Sequence, residues 1–213
     1  MKRALTGSFH YITIMYSLLS LGDSYTIGEG VPLYDSFPYQ TVQLLRRTGS
    51  PFRAPEIIAR TGWTTDELSA GTDRFQLLPP YTVVTLLIGV NNQYRGRTVG
   101  EYAHQFEQNL SQAIRLADTP SRVFVLSIPD WGVSPFAAEN GRDHLRIALE
   151  IDNFNATARE ITVRHHLPFI DITAHGRRMT SAAAFTADGL HPAAATYRHW
   201  AQLLAEAITA TLP

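Results

Sequence analysis

Five residues, in four short blocks, carry the chemistry available to this chain. A hydroxyl stands at Ser24 within Gly22-Asp23-Ser24-Tyr25, a glycine at Gly62 within Arg60-Thr61-Gly62-Trp63, and a carboxamide at Asn91 within Gly89-Val90-Asn91-Asn92. An acid and an imidazole follow late, at Asp188 and His191 within Asp188-Gly189-Leu190-His191-Pro192. This is an inventory for acyl transfer. A serine hydroxyl is a weak nucleophile at neutral pH and needs a neighbouring base to take its proton. His191 can be that base, since imidazole as a class exchanges protons near neutrality. Asp188, just upstream on a turn, can accept from the other ring nitrogen and fix the tautomer. The tetrahedral intermediate needs donors aimed at its oxyanion. The backbone N–H groups of Ser24 and Gly62 and the side-chain amide of Asn91 could supply three, and glycine at 62 lets the backbone approach closely.

Composition narrows the alternatives. The 213 residues contain no cysteine, and the only lysine is Lys2. Thiolate nucleophiles, disulfides, Cys-ligated zinc and iron–sulfur clusters are therefore excluded. A Schiff-base lysine, a Ser–Lys dyad, a Walker-A lysine and a kinase lysine are implausible with Lys only at position 2. A covalent nucleophile, if used, must be oxygen. The formal net charge of −1 argues against a protein that binds nucleic acid by neutralising phosphates. Arg46–Arg47, Arg95/Arg97 and Arg177–Arg178 are scattered pairs rather than a stripe and read as solvated surface. For Arg95 and Arg97 the alternative is contact with a polar or anionic alcohol moiety.

These residues must be held by a scaffold, and the hydrophobic pattern supplies one. With 45 % hydrophobic and 17 % charged residues, the chain can bury a single core. Short apolar runs alternate with longer helical patterns, the signature of an α/β fold with a parallel sheet. Strands are expected at Tyr16–Leu21, Glu56–Ala59, Thr82–Ile88, Arg122–Ser127 and Pro168–Ile170. Thr82–Ile88 is rich in β-branched residues and almost unbroken in apolar character, as suits a strand covered on both faces. Thr98-Val-Gly-Glu101 reads as a capping box opening one long helix; others start near Asp143 and run from about Ala193 to Thr209. One three-layer α/β/α domain, residues 15–213, accounts for the pattern. Residues 1–14 read as an extension, with Met15 as a possible initiator. Lys2 and Arg3 before the apolar stretch Tyr11–Leu21 resemble a secretory signal, but no small-x-small cleavage site precedes Tyr16. Cleavage would also remove the first strand. No run of 18 apolar residues is present to span a membrane, and a cytoplasmic location is the default expectation. In such sheets ligands sit beyond the carboxyl ends of the strands, where the first three blocks lie.

At this point the sequence resembles the SGNH (GDSL) hydrolase superfamily, whose hallmark serine, glycine, asparagine and histidine occur in this order. The match runs from Tyr16 to the final helix: G-D-S-Y at 22–25, Gly62 after the second strand, G-x-N at 89–91 and D-x-x-H at 188–191. A lone G-D-S would be weak, whereas four blocks in order form a specific signal. The resemblance implies a flavodoxin-like fold with a parallel sheet of about five strands. It also implies ester hydrolysis through an acyl-enzyme, with Ser24 as nucleophile, His191 as base, Asp188 as orienter, and Ser24, Gly62 and Asn91 in the oxyanion hole. Two positions depart from the family pattern. Tyr25 replaces the usual leucine, a swap expected to be tolerated behind the nucleophile. Asn92 replaces an aspartate, which removes a charge but leaves the Asn91 donor.

Rival readings are weaker. An α/β-hydrolase would show G-x-S-x-G with its acid and histidine well separated. A metal-dependent phosphoesterase would use Asp23, Asn91 or Asn92, Asp188 and His191 as hard ligands, and would need more ligands after the strands. A non-catalytic carbohydrate- or lipid-binding relative would have lost at least one hallmark residue. No cofactor or metal is expected, and the partner is a small-molecule ester with an acyl, aryl or acetylated-sugar group. Tyr34, Trp63, Tyr94, Trp131 and Phe136, together with Val31, are expected on the loops of the active edge as walls of an apolar cleft.

Overall fold

Short runs rich in apolar residues form the centre of the molecule. In the computed structural model, which describes residues 15–179 and 181–212, they build five parallel strands: β1 (Leu18–Gly22), β2 (Glu56–Ala59), β3 (Val83–Leu87), β4 (Val123–Leu126) and β5 (Phe169–Ile170). The 1–14 extension lies outside the described residues. The strand order is β2-β1-β3-β4-β5, so the chain steps to one side of β1 and then returns past it. Every residue of β1, β3 and β4 is buried, as a sheet covered on both faces requires. The edge strand β2 is only partly covered.

Helices cover the two faces. Helices α2 (Phe37–Arg47) and α9 (Ala194–Thr209) pack on each other, while α5 (Val99–Leu116) packs on α3 (Thr65–Thr72), α7 (His144–Arg164) and β3. The long helices begin where the side-chain chemistry directs. Thr98 accepts from the Glu101 N–H at 3.1 Å, and Asp143 accepts from the Arg146 N–H at 3.0 Å, each satisfying a donor that a helix start leaves unpaired. The capping box expected at Thr98 is half-formed, because Glu101 turns its carboxylate to Arg97 at 3.3 Å. A reciprocal bond forms instead at α3, where Glu67 accepts from the Thr64 N–H at 3.0 Å.

Four of the five strands differ from the sequence expectation at their ends, β3 and β4 by being one residue shorter on each side. The first strand starts at Leu18 rather than Tyr16, because Tyr16 exchanges backbone hydrogen bonds with the Pro51–Arg53 segment in an isolated bridge. The last strand shortens to Phe169–Ile170. Among the described residues no helix is long and apolar enough to cross a membrane.

Candidate active site

The first block sits where β1 turns directly into the short helix α1 (Ser24–Ile27). Asp23 caps α1, its carboxylate accepting from the Tyr25 N–H at 3.0 Å. Only glycine fits at 22, since a Cβ there would collide with Thr26 Oγ1 and the Leu87 carbonyl. That close approach lets Ser24 follow the strand with no intervening loop. Ser24 is 5 % exposed. Its backbone N–H and that of Gly62 have no protein acceptor among the described residues.

Asp23 is fully buried, and its second carboxylate oxygen has no partner among the described residues. Burial raises its pKa to about 7, against the lowering effect of the Tyr25 N–H bond. The folded state therefore holds a proton that the unfolded state releases near pH 3.9. The sign is unfavourable: stability falls as pH rises from about 4 to about 7, and the loss persists above that. Asp23→Asn keeps an acceptor for Tyr25 and removes the charge. It should be more stable than the wild type at pH 8 by on the order of 1 kcal/mol, roughly 2–4 °C in Tm. Thermal melts across pH should show that advantage vanish by pH 4, and a constant difference at all pH values would contradict the assignment.

The acid and the imidazole come from the loop before α9. His191 Nδ1 lies 2.6 Å from Asp188 Oδ2, and the other oxygen of Asp188 accepts from Leu190 N–H at 2.8 Å, His191 N–H at 3.0 Å and Thr186 Oγ1 at 2.8 Å. Burial alone would raise the Asp188 pKa. The bonds from the His191 ring, the His191 and Leu190 N–H groups and Thr186 outweigh it and hold the carboxyl well below the usual carboxylate range. The His191 ring is also supported from below: it lies 5.2 Å from the Tyr25 ring, which rests in turn on Trp200 at 6.2 Å. Tyr25 is thus wedged between the imidazole and the core. No hydrogen bond joins Ser24 to His191 among the described residues, although both line the same cavity. Contacts of this kind are often open without substrate.

The two adjacent asparagines face opposite ways. Asn92 is fully buried, accepting from the Thr65 N–H at 3.1 Å and donating to Thr65 Oγ1 at 2.7 Å, so it ties α4 (Val90–Tyr94) to the start of α3. The neutral amide in place of an acid therefore serves packing. Asn91 lines the cavity and donates to the Trp63 carbonyl at 3.0 Å. A carboxamide has two N–H donors, and this bond uses one.

The cavity beside Ser24 has a volume of about 210 Å³ and is lined by Ser24, Tyr25, Val90, Asn91, Tyr94, Trp131, Phe136, Leu190 and His191. Tyr94 and Trp131 meet edge to face at 5.2 Å. Trp131 Nε1 donates to Gln93 at 2.7 Å, and Gln93 donates to Glu150 at 2.7 Å. Phe136 is tied to the loop bearing His191 by its N–H, which donates to the Gly189 carbonyl at 3.0 Å. Three of the expected wall residues, Tyr94, Trp131 and Phe136, are brought together here. Tyr34 and Trp63 are not: Tyr34 is 61 % exposed on a 3₁₀ turn, and the Trp63 indole lies over Gly71 of α3. Leu190 also lines the cavity, and its place inside D-x-x-H is the sequence signal for it. Arg95 and Arg97 are engaged by protein groups, with Arg95 on Glu67 and the Gly62 carbonyl and Arg97 on Asp66 and Glu101. Among the described residues no three His, Asp or Glu side chains are grouped as the metal-dependent alternative would need.

Comparison with known proteins identifies the fold and the family. No curated protein is similar enough in sequence to match the chain. A lipase/acylhydrolase from Enterococcus faecalis superposes with a TM-score of 0.72 at 21 % identity, over 93 % of this chain and 98 % of that one. The acetylxylan esterase Axe2 from Geobacillus stearothermophilus gives 0.71 at 18 % identity, over 91 % and 94 %. The esterase EstA from a Pseudoalteromonas species gives 0.66 at 13 % identity, over 92 % and 97 %. At these identities the likeness establishes the fold. The family itself is established by its sequence model, the GDSL-like lipase/acylhydrolase family, which matches residues 20–199; the chain belongs to that family and is a hydrolase acting on ester bonds.

Proposed function

We propose that the protein is a serine esterase for small carboxylic esters, working through an acyl-enzyme on Ser24. The observation that carries this reading is that Ser24 and His191 line one cavity while Asp188 holds the far side of the imidazole at 2.6 Å. In the forward step His191 takes the Ser24 proton as Oγ attacks the ester carbonyl, and the C–O π pair moves onto the carbonyl oxygen. The Ser24 N–H, Gly62 N–H and Asn91 amide receive that charge. His191 then returns the proton to the departing alcohol as the tetrahedral intermediate collapses. A water molecule, deprotonated by the same imidazole, then attacks the acyl carbon, and His191 returns that proton to Ser24 Oγ as the C–Oγ bond breaks and the acid leaves.

The size and lining of the cavity support a short acyl or aryl group. Its volume of about 210 Å³ lies below the ~300 Å³ at which pockets begin to hold drug-sized ligands, and Trp131 on its wall is held by a hydrogen bond to Gln93. A p-nitrophenyl ester series tests the reading. Acetate to butyrate should be turned over best, with kcat/KM falling at least about tenfold by the octanoate, because a chain longer than the cavity holds the ester carbonyl away from the attacking hydroxyl. Equal activity on long-chain esters would overturn the short-chain assignment, and no activity on any ester would overturn the esterase assignment.

A further inference from the structure

The 60–64 loop holds Gly62 in a left-handed conformation, φ +83°, with almost nothing packed against it: a Cβ there would meet only Arg95 Nη2, at 3.6 Å. Packing therefore does not fix the orientation of its peptides. Hydrogen bonds do. Arg95, just past the end of α4, donates from Nη2 to the Gly62 carbonyl at 2.6 Å and from Nη1 to Glu67 at 3.1 Å. Glu67 in turn accepts from the Thr64 N–H at 3.0 Å, so one carboxylate secures both the arginine and the end of the loop. On the other side of the glycine, the Thr61 hydroxyl donates to Glu29. The next carbonyl, of Trp63, accepts from Asn91.

We propose that Arg95 is a positioning residue for the oxyanion hole, acting through the Gly62 peptide rather than on substrate. This rests on the reading of Gly62 as an oxyanion donor. The Trp63 N–H donates to the Arg60 carbonyl at 3.1 Å and closes a turn over Thr61 and Gly62, but glycine has the freest backbone torsions of any residue, so one turn bond leaves the Gly62 peptides room to tilt. A planar guanidinium anchored on Glu67 presents two donors in a fixed fork. It fixes the torsion on the carboxyl side of Gly62 while Thr61 and Glu29 hold the amino side. The N–H then points to the place where the oxyanion forms, without reorganising during the reaction. Arg95 also connects two of the blocks: it follows Asn91 in the chain and secures Gly62 in space.

The test is steady-state kinetics on the full-length protein with a short p-nitrophenyl ester, comparing Arg95→Ala and Arg95→Lys with the wild type and with Ser24→Ala. Arg95→Ala should lower kcat about 10–100-fold with KM changed less than threefold, the pattern of a misaimed transition-state donor. A trifluoromethyl ketone, whose adduct carries an oxyanion, should lose affinity by the same factor as kcat/KM. Arg95→Lys, which keeps a charged donor, should recover part of the loss at unchanged Tm. Three results overturn the proposal: kcat within twofold of wild type in Arg95→Ala, a rise in KM alone, or an equal loss in both variants with a lowered Tm. Activity retained in Ser24→Ala overturns the nucleophile assignment and this proposal with it. An inactive Ser24→Ala beside a fully active Arg95→Ala overturns the clamp alone.

Discussion

Ser24→Ala is expected to abolish ester turnover, lowering kcat by about 10⁶-fold, as removal of a serine nucleophile does when base and donors remain. The fold should survive, because the cap of α1 is the Asp23 carboxylate and the bonds from Gly28 and Glu29 go to the Ser24 carbonyl rather than its hydroxyl. Wild-type and variant Tm should agree within a few degrees. His191→Ala should cost a comparable factor, and the double variant should be no worse than either single, since nucleophile and base act as a unit. Intact-mass analysis with a fluorophosphonate gives an independent readout: one adduct on the wild type, at Ser24, and none on the variant. Substantial turnover by Ser24→Ala would end the covalent mechanism.

Asp188→Asn should lower kcat about 10⁴-fold, for a reason written in its hydrogen bonds. Oδ1 accepts three of them, from Leu190, His191 and Thr186, whereas Oδ2 accepts only from the imidazole. An asparagine keeps the most bonds by leaving its oxygen at the first position. Its NH₂ then faces His191 Nδ1 and forces the proton onto Nε2, where it blocks acceptance of the Ser24 proton. The same substitution has a signature in stability. Because the folded-state pKa of Asp188 is depressed, the stabilisation its charge provides is fully present above the unfolded value of about 3.9 and is lost as pH falls toward the folded value. The Tm gap between wild type and Asp188→Asn should thus be widest near neutrality and close below about pH 4. A gap that widens in acid would contradict this.

The fold was legible because its signals are local. Val83–Leu87 reads as a doubly covered strand from its own side chains, and Thr98 and Asp143 announce helix starts within one turn of where those helices begin. The reactive blocks were legible for a related reason. Gly22 is required by the contacts of a strand-to-helix turn, and Asp188 and His191 satisfy each other across a single turn. Local signals failed where a side chain had a choice of distant partners. Glu101 could close a box on Thr98 or pair with Arg97, and it pairs with Arg97. Trp63 and Tyr34 carry the same apolar character as Trp131, yet one covers Gly71 and the other faces solvent.

By itself, then, the sequence determined that any covalent nucleophile is oxygen, since it has no cysteine and its only lysine is at position 2, and it determined the order of the four blocks along a parallel α/β chain. Tertiary structure alone decided that Asn91 faces the cavity while Asn92 anchors α3, which aromatics form the wall, and that Arg95 is engaged on the Gly62 carbonyl 33 positions away. Backbone sterics and hydrophobic period act within a turn or a strand and leave their mark in neighbouring residues. The partner of a long polar side chain depends on which segments the crossovers bring together, and that is set only when the sheet has closed.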